Sequence, residues 1–313
     1  MNTEYVVFGF VNVAFALVIS PLFTGIIKKV KAAVQRRRGP PLLQSYYNLA
    51  KLMMKETVYS SNSSQIMRVT PYVNMAVMVT AALCIPLAFI PNPALDVGNV
   101  ILFLYLLALA RFFMALAGLD AGSTFGGMGS SREMSISSVI EPITVVVFAA
   151  LFYTFKTLNF HEMFRQAAGS AFIPDPALVL IALPLFIVLI VETARIPVDN
   201  PETHLELTMV HEAMLLEYSG RDLALMELSA AIKQTLLMGL LINVLIPWGV
   251  ATQMVLSAVV VGLVAFFVKA VFLAVVIGLF ESSIAKMRLF NLPNMFMIAF
   301  FLSAITLLLE VFR

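Results

Sequence analysis

The sequence predicts an all-α integral membrane protein of about eight transmembrane helices, with an amphipathic surface helix in its first cytoplasmic loop. Three observations carry this. First, 61% of the 313 residues are hydrophobic and only 12% are charged, whereas soluble domains run near 25% charge. Second, the apolar residues fall in runs of about 20, the length that crosses about 30 Å of hydrocarbon at about 1.5 Å per residue. Third, lysine and arginine crowd into one short loop, which fixes that loop in the cytoplasm. Residues 1–313 form a single polytopic membrane domain on this basis.

The first run extends from Tyr5 to Ile27. The preceding MNTEYVVFGF has neither a basic region nor a small-residue cleavage site, so the run is a retained span rather than a signal peptide. The loop that follows, at about 28–70, holds Lys28, Lys29, Lys31, Arg36, Arg37, Arg38, Lys51, Lys55 and Arg68. Within it Gln44, Asn48, Lys51 and Lys55 recur on one helical face and Leu42, Tyr46, Leu49 and Met53 on the other, the pattern of a helix lying at the membrane surface. That helix either anchors to the membrane, docks a peripheral subunit through its polar face, or roofs a cavity with its apolar face.

The second and third spans are expected at Pro71 to Ile90 and Val97 to Ala117. Between the third and fourth lies a glycine-rich loop at about 118–134, running from Gly118 to Glu133. It lacks the Gly-Lys-Ser/Thr ending of a phosphate loop, so close packing against a neighbouring backbone is the expectation, with Asp120, Arg132 and Glu133 near the mouth of any cavity. The fourth span is Ser135 to Phe155 and the fifth Ala177 to Ile196. The remaining spans are Ser229 to Val250, Val255 to Leu279 and Asn291 to Val311. Counting alternately, the loops at about 197–228 and 280–290 are also cytoplasmic. The outer side carries only Lys156, Arg165 and Arg313, and both termini face outward.

Five charged residues fall inside these spans away from their last turns, where Arg195 and Glu310 sit: Arg111, Glu141, Glu192, Lys233 and Lys269. Each costs at least about 2.5–3.5 kcal/mol near a helix centre. The first four lie about 6–9 Å inside the cytoplasmic boundary, and Lys269 about 15 Å in. Arg111 and Glu192 taken singly can snorkel to the surface; four such groups from four helices at one depth, two acids and two bases, suit a buried polar chamber. Lys269 lies too deep to snorkel and suits a proton-accepting group.

The longest polar interruption follows the fifth span. From Glu192 to Glu227 there are eight acids, Glu192, Asp199, Glu202, Glu206, Glu212, Glu217, Asp222 and Glu227, against Arg195 and Arg221. Asn200 followed by Pro201 is a helix start, predicting a helix from Pro201 to about Leu216. On it Glu202 and Glu206, four apart, are either a solvated face or a pair sharing a proton. His204 and His211 lack a ligand set for a metal. With one cysteine, Cys84, the chain cannot supply the thiolates of an iron–sulfur cluster, a nickel–iron centre or a structural zinc site. No cofactor is expected in it.

Several motifs resemble those of the NADH dehydrogenase subunit 1 family of respiratory complex I and its relatives in energy-converting nickel–iron hydrogenases. Arg37-Arg38-Gly39-Pro40-Pro41 with Lys51 to Glu56 is similar to the family's first-loop signature. Glu192-Thr-Ala-Arg195-Ile-Pro197-Val-Asp199 and Glu217-Tyr-Ser-Gly220 are similar to its acidic loop, and Ser131-Arg132-Glu133 with Glu141-Pro142 to its third-to-fourth-span region. The glycine-rich segment is most similar to the formate hydrogenlyase and hydrogenase-4 branch. Between Asp199 and Glu217 the chain departs from the family pattern.

The resemblance implies a membrane connector, without an active site of its own, that couples redox chemistry elsewhere to proton or sodium movement. It implies an ion path at Glu141, Glu192, Arg195, Asp199 and Glu217, joined by Arg111, Lys233, Lys269, Glu202 and Glu206 from the residue analysis. Arg36, Arg37, Arg38, Gln44, Lys51 and Lys55 are the expected docking surface for the peripheral arm. The implied partners are hydrogenase-like large and small subunits, iron–sulfur subunits, antiporter-like membrane subunits and lipid, with no nucleic acid. The nickel–iron centre and clusters would reside in those subunits, at the cell membrane. A quinone-chamber subunit of a NADH:quinone oxidoreductase and a free-standing ion transporter are the alternatives.

Overall fold

The computed structural model describes residues 3–91, 97–169, 176–200, 209–252 and 255–312. Its elements in chain order are α1 (Thr3–Val34), α2 (Gln44–Met53), α3 (Gln65–Cys84), α4 (Val100–Asp120), α5 (Thr124–Phe155), α6 (Phe160–Gly169), α7 (Pro176–Glu192), α8 (His211–Leu215), α9 (Gly220–Leu245), α10 (Leu256–Ser283) and α11 (Leu292–Val311), the last preceded by a 3₁₀ turn. Seven of these are apolar and at least 18 residues long. With α7, whose 17 residues sit at the short end of the spanning range, they account for the eight expected spans.

The centre of the bundle is α9. It packs against α1, α3, α7 and α10 and buries Ile232, Leu236, Leu237, Leu240, Leu241 and Val244 around most of its circumference, as an all-round apolar helix does. The outer helices α10 and α11 leave Val261, Phe272, Phe301 and Leu309 exposed, a surface suited to lipid.

Three spans end earlier than hydropathy predicts, two of them at prolines. The α3 span stops at Cys84 rather than Ile90, and the α9 span at Leu245 rather than Val250. Pro86 and Pro247 are the cause, because the residue before a proline is pushed out of the helical region; Ile85 and Ile246 both leave it. The two unwound segments then pair, Ile90 N–H donating to the Ala251 carbonyl at 2.9 Å and Ala251 N–H to Ala88 at 3.0 Å. The Asn243 side chain donates to the Pro86 carbonyl at 2.8 Å, and the Lys269 ammonium donates to the Ile246 and Trp248 carbonyls at 2.9 and 3.0 Å. Non-helical backbone at this depth persists because protein groups satisfy it.

The expected loop at 118–134 is almost entirely helical. Only a three-residue turn, with Gly122 at φ 65°, separates α4 from α5, and the glycines bring the two helices together. Gly118 and Gly126 face each other so closely that a Cβ on Gly126 would collide with the Gly118 carbonyl, the small-residue contact typical of membrane helix pairs.

The loop at 28–70 likewise contains the ends of α1 and α3 as well as α2, the segment 197–228 includes the start of α9, and 280–290 the end of α10. The fifth span ends at Glu192, where the chain turns through Ala194 at φ 48°. The predicted helix from Pro201 to Leu216 is helical only over His211–Leu215 in its described part; 201–208, including Glu202, His204 and Glu206, lie outside the described residues. Amphipathic α6 was not anticipated; it buries Phe160, Met163, Phe164 and Ala167.

Candidate functional site

Four helices bring five charges to a single point. The α7 helix ends on Glu192, whose two carboxylate oxygens meet different cations: one contacts Arg111 of α4, and the other lies 2.8 Å from Lys233 Nζ of α9. Arg111 also contacts Glu141 and reaches Glu133 at 3.8 Å, both on α5. The Glu192 and Arg111 side chains are only 3% and 7% exposed. A buried carboxylate stays ionised only where cations and donors replace water, and two cations do so here.

A second pairing lies one turn further. Arg195 donates to Glu281 at 3.1 Å and to the Gln234 side chain, and Lys31 stands 3.6 Å from Glu281. Beyond it Asp199 accepts from Lys286 at 2.7 Å and from the Val210 and His211 amides at 2.9 and 3.0 Å, which pins the start of α8. These clusters are joined through the chain from Glu192 to Asp199 and through the neighbours Lys233 and Gln234.

Between them is a cavity of about 240 Å³. Arg111, Glu133, Glu192, Arg195, Asp199 and Lys233 line it, with Lys28, His211, Glu212 and Glu227. Ser45, Asn48 and Leu49 of α2 form its roof, held by the Tyr46 hydroxyl donating to the Val18 carbonyl of α1. The α2 helix is therefore a lid over the cavity, with Asn48 at the cavity's edge, exposed and accepting from the Gln44 side chain at 2.9 Å on the expected polar face. The buried Asn74 side chain also lines the cavity, and its Oδ1 has no donor among the described residues. Burial, then Asp199 and Glu227, push the Glu212 carboxyl up to about 7. Burial likewise lowers the His211 pKa.

The predicted site residues divide accordingly. Arg111, Glu192, Lys233, Arg195 and Asp199 gather at the cavity, and Glu141 joins through Arg111 from the outer surface. Lys269 does not line the cavity: its ammonium donates to the Ile246 and Trp248 carbonyls at the broken end of α9. Glu217 does not line the cavity and makes no ion pair among the described residues. Glu202 and Glu206 lie outside the described residues. Of the expected docking residues, Arg36, Arg37, Arg38, Lys51 and Lys55 are exposed and Gln44 is half-buried; Lys55 falls beyond the end of α2. Arg132 holds the Met209 carbonyl at 2.8 Å, and Asp120 caps α3 through the Ser64 and Met67 amides.

Lys31, Gln234 and Glu281 were not among the expected site residues. Gln234 neighbours Lys233 within a span, a signal that was present. Glu281 was hidden because it was placed in a loop, whereas it lies within α10 at 3% exposure. Among the described residues no three His, Cys, Asp or Glu side chains stand together as a metal site.

Fold and site together define a polytopic membrane protein with a chain of buried ion pairs around a cavity near its basic face. Residues 7–311 match the NADH dehydrogenase family, and the chain belongs to that family, as a complex I-related membrane subunit. It is 31% identical to hydrogenase-4 component C of Escherichia coli over 96% of this chain and 94% of that one. It is 32% identical to formate hydrogenlyase subunit 4 of the same organism, over 92% and 93%, and 27% identical to a subunit of the NADH-quinone oxidoreductase of Wolbachia pipientis, over 89% and 88%. Its fold matches a chain of the archaeal membrane-bound sulfane sulfur reductase at a TM-score of 0.81 and 18% identity, covering 98% of this chain and 99% of that one.

Proposed function

We propose that this chain is the membrane connector of an energy-converting, hydrogenase-type complex. In this reading it anchors a peripheral arm carrying the nickel–iron centre and iron–sulfur clusters, and couples the arm's redox reaction to proton or sodium movement through antiporter-like subunits. The complex sits in the cell membrane with the basic first loop in the cytoplasm and both termini outside. The observation that carries the proposal is two neighbouring sets of buried ion pairs, Arg111–Glu192–Lys233 and Arg195–Glu281–Lys31, of which Arg111, Glu192, Lys233 and Arg195 line one cavity. Groups so closely paired shift together when one of them changes charge, which is what coupling requires.

The likeness to hydrogenase-4 and formate hydrogenlyase components supports a hydrogenase-type complex over a quinone-reducing one. The test is metal analysis and hydrogen evolution on the complex purified through a tag on this chain. Nickel with hydrogen evolution is expected. Absence of both, with quinone recovered instead, would move the chain to the quinone-chamber class.

A further inference from the structure

Glu141 is the member of the ion-paired cluster that lies on the outside of the bundle. Its side chain is 52% exposed, against 3% for Glu192, 7% for Arg111, 15% for Lys233 and 17% for Glu133. It is also within the hydrocarbon belt. Lys156 ends α5 at the opposite face, its ammonium over the Tyr153 ring, and Glu141 lies about 22 Å along the helix from it, short of the about 30 Å the hydrocarbon spans. A carboxylate half-open to lipid at that depth is costly. Arg111 does not offset it alone, because the cluster holds three carboxylates, Glu133, Glu141 and Glu192, against two cations, Arg111 and Lys233.

The face around Glu141 differs from the rest of the outer surface. Ser131, Ser135 and Ser138 are exposed on the same side of α5. The hydroxyls of Ser135 and Ser138 fold back onto the Ser131 and Ser135 carbonyls at 2.8 and 2.9 Å. That leaves a flat, small-residue surface of the kind on which membrane helices pack closely. Exposed positions elsewhere on the two helices, Val145 on α5 and Tyr105 and Phe112 on α4, are apolar or aromatic.

We propose that this face of α5 docks a transmembrane helix of a second membrane subunit, which sets small residues against Ser131, Ser135 and Ser138 and a lysine or arginine side chain against Glu141. The proposal rests on the reading of this chain as a subunit of a membrane complex. The excess negative charge selects a cationic partner residue. A symmetric contact with a second copy would set carboxylate against carboxylate, and a lipid ammonium group stays at the interface, some 8 Å away by the same helix-rise estimate. Arg111 then links the partner's cation to buried Glu192, so a change of charge in the cavity is felt across the subunit boundary.

The test places a photoreactive phenylalanine analogue at Ser138 of the tagged chain in its native membrane, followed by illumination, purification of the complex and mass spectrometry. The expected adduct is a peptide from a transmembrane segment of a co-purifying subunit, with a lysine or arginine within one turn of the attachment point. Glu141→Lys should abolish the adduct, and changing that partner residue to glutamate should restore it. Adducts with lipid only, with a second copy of this chain, or with a helix lacking such a residue would each overturn the docking face while the other subunits still co-purify. If no other membrane subunit co-purifies, the reading of the chain as part of a complex fails, and the proposal with it.

Discussion

Lys233 Nζ lies 2.8 Å from Glu192 Oε2, and the other oxygen of the same carboxylate contacts Arg111, so one acid from α7 holds two cations from α9 and α4. Removing the acid takes the counter-ion from buried Lys233 and leaves it beside Arg111, which keeps Glu141. Glu192→Gln is expected to destabilise the chain by about 3–5 kcal/mol, as loss of one partner from a buried pair does. The double variant Glu192→Gln with Lys233→Met should recover part of this, because it also removes one unpaired charge. Thermal unfolding of wild type, the two single variants and the double variant in detergent measures the coupling. Additive losses would mean that the pair is too well hydrated to interact.

Glu212 predicts a pH dependence. Burial and the neighbouring Asp199 and Glu227 hold its carboxyl near 7 against an ordinary value of 4.5, so the folded chain binds a proton that the unfolded chain has released. Its stabilising contribution is fully present below about pH 4.5 and is lost as pH rises through about 7. His211, lowered by burial, has the opposite sign: its contribution is present above its ordinary value of 6.5 and is lost as pH falls through its folded value. Comparing wild type with Glu212→Gln from pH 5 to 8 cancels the histidine. The melting temperature of wild type should fall relative to the variant across that range, and parallel curves would show that Glu212 is fully hydrated.

The positions of the spans and the polar chamber were legible because hydrocarbon imposes a fixed length and penalises charge, both of which are properties of composition. What was not legible depends on backbone breaks and on depth. Pro86 and Pro247 lie inside apolar runs, so hydropathy carried the α3 and α9 spans past them, while steric exclusion ended the helices before them. That displacement is why Lys269, deep in α10 by count, finds the carbonyls of a helix end instead of the chamber. Glycine richness suggested a loop at 118–134, yet in a membrane the same residues allow α4 and α5 to approach. Glu281 was placed in a loop because it follows an apolar run, and only the inward-facing end of α10 shows that it partners Arg195.

Lys269 is accordingly expected to be structural. Lys269→Met removes the donor from the Ile246 and Trp248 carbonyls, and a buried acceptor left unsatisfied costs about 1–3 kcal/mol. The variant should unfold at lower temperature, while complex that does assemble should retain redox-driven ion pumping in reconstituted vesicles. Loss of pumping at unchanged stability would return Lys269 to the ion path. Lys269→Arg, which keeps donors at the same place, should recover most of the stability.

Arg36, Arg37 and Arg38 form an exposed basic run immediately after α1, and the chain turns there through Arg36 at φ 55°, which directs the run away from the end of the helix. Neither Arg37 nor Arg38 makes an ion pair among the described residues, so their charge is available to an acidic surface on a peripheral subunit. Interactions between exposed charges weaken as salt shortens the screening length from about 10 Å at 0.1 M to about 3 Å at 1 M. Arg37→Glu with Arg38→Glu should therefore release the peripheral subunits from washed membranes at moderate salt, where wild type releases them only at high salt. The stability of the chain itself should stay within about 0.5 kcal/mol of wild type, as for surface substitutions. Two results together would confine these arginines to setting the membrane orientation: retention of the peripheral subunits by the double variant, and an unchanged salt requirement for their release.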